Sequence, residues 1–396
     1  MLKLFTYEFK KQIFRVSLLI IAVLCLVVNC YKQYETVRYY GADGYIKAVM
    51  GETPDSEKLY QDFKGDLDQE LFDRINAYTE ELNAVIAEGK FSMDKPSDEF
   101  FTGYVYGDLN YLNMLKDEVR YAYMYPNTMA EISEKARECI RFYEGSNDYL
   151  VKENELILSI YQGRSISAFG RYEAFTLFFD YEFSTFAILI LMAFVFASSF
   201  AAEKATGNDR IIRSCGRAGS VFRAKHMVMY LFVICAVIIF ALVDLLGFGR
   251  YYGFEFMEQP LYAIQSYQYA PVDISIVGTI IISLVFRILF LIFIGEVLLL
   301  ISTFTKNIGL ALTVSFAAAG AMIFINSLIP EYLSPFSLLS VKTLLGSFRC
   351  VNIFGLPVPS YLIVPAVTLV LTIILHIICY FRAVGRTELR KRRISE

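Results

Sequence analysis

Six runs of roughly 20 apolar residues constrain this chain more than any other feature, because that is the length of helix needed to cross a hydrocarbon core of ~30 Å. They fall at about 13–30, 183–201, 227–247, 275–301, 308–329 and 361–381. Backbone groups in lipid must be satisfied within the segment, so each run is predicted to be helical. The fold class follows: an all-α polytopic membrane protein with six transmembrane helices. Composition agrees, with 56% hydrophobic residues and 19% charged ones. There is no tryptophan, so the interfacial aromatics must be drawn from 28 tyrosines and 34 phenylalanines. The first run lacks a small-residue cleavage site and is predicted to be a retained helix.

Lys and Arg in the short connections set the orientation. With the N-terminus inside, the inner segments hold four such residues in 1–15, six in 202–226, Lys306, and six in 382–396. The short outer loops hold one in 248–274 and two in 330–360. Both termini are therefore expected on the cytoplasmic side.

The long segment 31–182 is then extracytoplasmic. It carries 16 basic and 29 acidic residues. Its apolar periodicity is helical: Leu59, Phe63, Leu67, Leu71, Ile75, Tyr78, Leu82 and Val85 recur at spacings of three and four, with Gly89 as a stop. A second stripe, Leu109 to Val119, is predicted to end near Pro126, and a third, Ile132 to Tyr143, at Gly145. A fourth helix is expected around 149–162. This gives three regions: 1–30, an amphipathic N-terminal helix and the first span; 31–182, a helical ectodomain; and 183–396, spans two to six. In the last outer loop, Ser334 and Pro335 read as the N-cap and first position of a helix to about Gly346.

Chemistry is sparse. The chain has no GxxxxGK[ST], GxSxG or HExxH sequence, so no nucleotide-hydrolysing or hydrolytic site of its own is expected. Its two histidines, His226 and His376, argue against a histidine-based metal or triad site. The seven cysteines show no metal spacing, and a Cys139–Cys350 disulfide stays open. Charges within spans need partners or water. Arg287 and Glu296 lie nine residues apart on opposite faces of one span and cannot pair. Glu296 and His376 lie at similar depth, so they either share a contact or Glu296 faces a cytoplasmic vestibule. Arg287 either lines a substrate route or pairs with an outer acid such as Asp244.

The connection between spans two and three, "AAEKATGNDRIIRSCGRAGSVFRAKH", is short and basic and is broken by glycine. Ile211, Cys215, Ala218 and Phe222 form an apolar stripe opposite Arg210, Arg213 and Arg217. Gly216 and Gly219 leave both a single helix and a helix–turn–helix pair open. A positive-inside loop lying on anionic lipid would explain the charges but not the stripe.

This segment, with "MLKLFTYEFKKQIFR" ahead of the first span and a large ectodomain between spans one and two, resembles the ABC-2 family of ATP-binding-cassette permeases. Glu203, Gly207, Gly216–Arg217 and Lys225 stand where that family carries Glu-x-x-x-Gly, Gly-Arg and Lys. "SCGRAGS" replaces the family's proline-containing turn. The resemblance implies a bacterial plasma-membrane exporter subunit working as a dimer with a second permease copy or paralogue. It also implies that 202–226 docks on a separate cytoplasmic ATPase, which would bind the ATP and magnesium. Glu203, Gly207, Ile211, Ile212, Arg213, Gly216, Arg217, Phe222 and Lys225 would form the coupling segment, with exposed Ile211, Ile212 and Phe222 filling a cleft on the partner. No cofactor on this chain and no nucleic-acid partner are expected. The alternative is a membrane-anchored sensor or scaffold that binds a ligand through its ectodomain. A secondary transporter would call for paired interrupted spans, which the sequence lacks.

Overall fold

The computed structural model describes residues 2–39, 56–93, 95 and 97–385. The basic run at 386–396, counted above on the inner side, and residues 40–55 of the long segment lie outside the described residues.

The described chain is mostly helical with little sheet, and six helical segments are long and apolar enough to cross a membrane. Helix α1, Leu2–Ile13, is amphipathic and buries Glu8 and Gln12. After a break at Phe14–Arg15 comes α2, Val16–Arg38, the first span. The second span is a broken rod: α7, Glu173–Asp180, then α8, Phe183–Phe196, then α9, Ala201–Ala205. The break before α9 is stabilised by Ser302, whose hydroxyl accepts from the backbone N–H of Phe200 (2.8 Å) and Ala201 (3.0 Å). The rest are α11, Ala218–Tyr252, α12, Ile276–Phe304, α13, Ile308–Asn326, and α15, Ser360–Val384. Ser275 and Asn307 cap α12 and α13 by accepting from Gly278 and Leu310 N–H. The core runs through α8, α11 and α12. Helices α2 and α13 are peripheral, with few buried residues.

One end of the bundle carries α1, the 206–217 connector, the 305–307 turn and the end of α15. The described residues of 56–172 pack at the other end, against the 253–275 connection. There Lys64 pairs with Glu255 at 2.6 Å, and Tyr121 and Arg164 donate to the carbonyls of Tyr262 and Ala270. Within 56–172 are α3, Ser56–Phe63, α4, Gln69–Glu88, α5, Val105–Tyr143, and α6, Asp148–Tyr161. The stripe from Leu59 to Val85 is thus two helices, separated at Gly65 (φ 134°). Two residues from this break, Gly65–Asp66, pair with Ala168–Phe169 as a two-stranded ribbon. Asp68 caps α4, and Gly89 ends it in the left-handed conformation (φ 67°).

The second and third predicted stripes form one 39-residue helix, α5, with Pro126 inside it. The proline removes one backbone hydrogen bond. Tyr125 and Met129 beside it are buried in the core, and this packing carries the helix through. The helix expected at 334–346 is two pieces: a 3-10 turn, Pro335–Leu339, and α14, Val341–Leu345. Ser340 splits them, because its side chain accepts from Thr343 N–H and starts a new helix. A hairpin that hydrophobic periodicity did not signal follows, Cys350–Ile353 with Leu356–Pro359. Its turn residues Phe354 (φ 52°) and Gly355 (φ 83°) both have positive φ, as a two-residue type I′ turn requires. Cys139 and Cys350 are free thiols. Cys350 Sγ lies 2.9 Å from Glu153 Oε1 and 3.4 Å from the Tyr149 hydroxyl.

Candidate functional site

The connector is a helix–turn–helix. Helix α9 stops at Gly207 (φ 73°), α10 runs Asn208–Ser214, and Gly216 (φ 68°) turns the chain into α11. Two left-handed positions within ten residues explain why no single helix forms. The apolar stripe is divided by the second turn. Ile211 is 62% exposed and Cys215 is exposed, whereas Ala218 and Phe222 belong to α11 and face inward. Arg210, Arg213 and Arg217 are exposed, and Ile212 is half-buried against the core. Phe222, expected to dock on a partner, is 1% exposed and packs against Phe200, Tyr380 and both histidine rings. Its burial corrects the expectation: beyond Gly216 the register is set by the bundle.

Glu203 and Lys225 are also interior. Lys225 is fully buried and contacts Glu203 Oε1 at 2.9 Å and Glu8 Oε2 at 3.6 Å. It donates to the Ser199 carbonyl at 2.6 Å and lies over the Phe200 ring. Lys11 approaches Glu203 Oε1 at 3.0 Å and Glu8 Oε1 at 3.7 Å, and Gln12 donates to Glu8 at 2.9 Å. Two cations and two anions thus tie α1, α9 and α11 together directly beneath the connector. Burial pulls the Lys11 ammonium down, but Glu203 and Glu8 outweigh it and hold it above the usual lysine value. Lys204 extends the anchorage by donating to the carbonyls of Thr303 and Thr305 at the end of α12.

One step deeper lies a second polar cluster. Glu296 is fully buried. Its Oε2 is 3.1 Å from His226 Nε2, and its Oε1 is 3.0 Å from His376 Nδ1 and 2.9 Å from the Tyr230 hydroxyl. The structure therefore brings Glu296 and His376 together and adds His226 and Tyr230. Depth along the helices is the signal that locates it. His226 is eight residues past Ala218, Glu296 eight before Phe304, and His376 eight before Val384. Each is about 12 Å from its helix's connector end at 1.5 Å per residue.

Arg287 is a third polar group within the spans. It is 5% exposed and donates to Ser184 at 3.3 Å. Ser184 also lies beside Asp244, whose charge acts on Arg287 without direct contact between the two side chains. Asp244 accepts instead from Asn29 (2.7 Å) and Gln33 (2.6 Å) of α2. These polar residues on α2 tie a peripheral span to α11.

Two of the cavities lie against the spans and α5. One of about 580 Å³ lies between α8, α12 and α13, lined by apolar side chains such as Phe186, Ile190, Phe290 and Met322, with Glu182 and Glu331 among its polar groups. The other, about 180 Å³, lies against α5 and is lined by Glu118, Tyr121 and Tyr172. Burial, reinforced by the Glu173 charge and opposed by Arg171, pushes the Glu118 carboxyl up to about 8. The folded chain therefore holds this proton where the unfolded chain releases it. The associated stability is present in acid and is lost as pH rises toward 8. In the full chain in detergent, Glu118→Gln is expected to raise the unfolding temperature at pH 8.5 and leave it unchanged at pH 4. Equal effects at both pH values would contradict the assignment.

The chain matches no protein-family model, no curated protein and no solved structure.

Proposed function

We propose that the chain is the membrane-spanning subunit of an ATP-driven exporter, with the 206–217 connector as its docking point for a separate ATPase. The observation that carries this reading is the contrast between the connector's tip and its flanks. The tip presents Ile211 and three arginines to solvent. The flanks are held by the Lys225–Glu203–Lys11–Glu8 network. A topological signal needs charge alone. A lever also needs an apolar contact for a partner and stiff attachment to the spans.

In this reading the termini and connector are cytoplasmic, and 56–172 is extracytoplasmic. A second permease copy or paralogue completes the pathway, and ATP with magnesium binds the partner ATPase. The ATPase would favour different connector positions in its open and closed states, and that difference in binding free energy would rock the bundle. The cavity of about 580 Å³ falls in the size range of small-molecule sites and could serve the pathway.

Gly207 offers a test of the lever. Its φ of 73° is left-handed, and nothing lies within 4 Å of where a Cβ would stand. Gly207→Val therefore meets no neighbour at its Cβ but costs about 1–2 kcal/mol in backbone strain. Membrane insertion is expected to be normal and ATP turnover coupled to transport to fall severalfold, measured in vesicles. Unchanged coupled turnover would show that the break is not needed. An ATPase that binds while no substrate is exported would favour the sensor reading.

A further inference from the structure

The chain has two histidines, they come from helices 150 residues apart in sequence, and both reach one buried carboxylate. His226 Nδ1 lies 2.9 Å from the Phe222 carbonyl, which can only accept, so Nδ1 carries the hydrogen. In the neutral ring, Nε2 then aims a lone pair at Glu296 Oε2, 3.1 Å away. Two facing acceptors in a buried site require a cation between them. A backbone carbonyl that fixes the tautomer in this way is the usual support behind a metal-binding histidine.

We propose that His226 Nε2, the Glu296 carboxylate and His376 Nδ1 form a binding site for one divalent transition-metal ion of the zinc class, linking α11, α12 and α15. The three ligand atoms all lie within 4.8 Å of one another. Ligands about 2.0–2.2 Å from a tetrahedral zinc are about 3.3–3.5 Å apart. His226 Nε2 faces Oε2 at 3.1 Å and His376 Nδ1 faces Oε1 at 3.0 Å, so both carboxylate oxygens border the ion. These separations need to open by only a few tenths of an ångström, with the two nitrogens drawing together. Two imidazoles and one carboxylate suit zinc and its first-row neighbours better than magnesium or calcium, which prefer all-oxygen sites. The His376 side chain is 37% exposed, which leaves one side of the site uncovered by the bundle for a fourth ligand. The Tyr230 hydroxyl, 2.9 Å from Glu296 Oε1 and 3.3 Å from His376 Nδ1, borders the site and orients both ligands. This site is independent of the transport reading: a bundle that holds zinc but recruits no ATPase keeps it.

The test uses the full chain, purified in detergent without a polyhistidine tag and stripped with a chelator. Zinc is titrated in, and the bound metal is counted after desalting. Cobalt(II) serves as a spectroscopic probe. The expected result is one zinc per chain and visible cobalt absorption typical of a tetrahedral site. Glu296→Gln and His376→Gln should each weaken binding at least tenfold, while Tyr230→Phe keeps the stoichiometry. His376 is partly exposed, so its variant remains usable if Glu296→Gln does not fold. A wild-type chain that retains no zinc would overturn the proposal and leave a proton as the bridging cation. Equal occupancy in wild type and His376→Gln would also overturn it.

Discussion

Lys225→Met is expected to destabilise the bundle by about 3–5 kcal/mol, the cost of removing one partner from a buried ion pair. Lys225 is fully buried, and Glu203 and Glu8 are nearly so. Without the Lys225 ammonium, two carboxylates are left with Lys11 as their nearby cation, and the Ser199 carbonyl loses its donor. The penalty arises from the uncompensated charge more than from the lost attraction. Glu203→Gln in the Lys225→Met background is therefore expected to recover most of the loss, because Lys11 and Glu8 then remain as a neutral pair. Thermal unfolding of the four members of this double-mutant cycle in detergent measures the coupling. A single-variant loss below about 1 kcal/mol, or no recovery in the double variant, would mean that the network does not anchor the connector.

The large features of the fold are legible in the sequence for a simple reason. Spanning a membrane demands length and apolarity, and both are local properties. The six runs accordingly recur as helices, mostly longer than expected, as at Ala218–Tyr252, whereas α13 stops at Asn326, short of the expected end. What local reading misses depends on tertiary partners. Pro126 looks like a stop, but Tyr125 and Met129 are held in a core that overrides it. Phe222 looks like part of an exposed stripe because spacing alone does not show that Gly216 starts a new helix. The hairpin after residue 349 lacks the Asn-Gly or Asp-Gly signal of its turn type and uses Phe354-Gly355.

The polar cluster shows the same limit. Glu296 and His376 are linked by depth, and the same count along α11 reaches His226. Two isolated histidines read as too few for a site, and spacing along the sequence does not show that three helices bring both to one level beside Glu296.

The second large effect concerns the connector's tip. Ile211→Asp is expected to weaken association with an ATPase at least tenfold while leaving insertion and unfolding temperature unchanged. Ile211 is 62% exposed, so an aspartate there is readily hydrated in the free chain. In a docked interface the same aspartate would be buried, and the few residues that dominate an interface each contribute about 2 kcal/mol or more. Arg213→Glu is expected to act more through association rate and salt dependence. Phe222→Asp is the contrasting variant. It places a charge in the core beside both histidines and should disrupt folding itself. If Ile211→Asp also lowers the unfolding temperature, Ile211 is a packing residue and the docking assignment fails.

Cys215 permits the most direct test of the central claim. It is exposed on the connector, four residues from Ile211. A thiol-directed photocrosslinker attached to it in native membranes should yield a covalent adduct with an ATP-hydrolysing subunit. The adduct should disappear in Cys215→Ser and diminish in Ile211→Asp. Efficient labelling of Cys215 with no ATPase in any adduct would contradict the account.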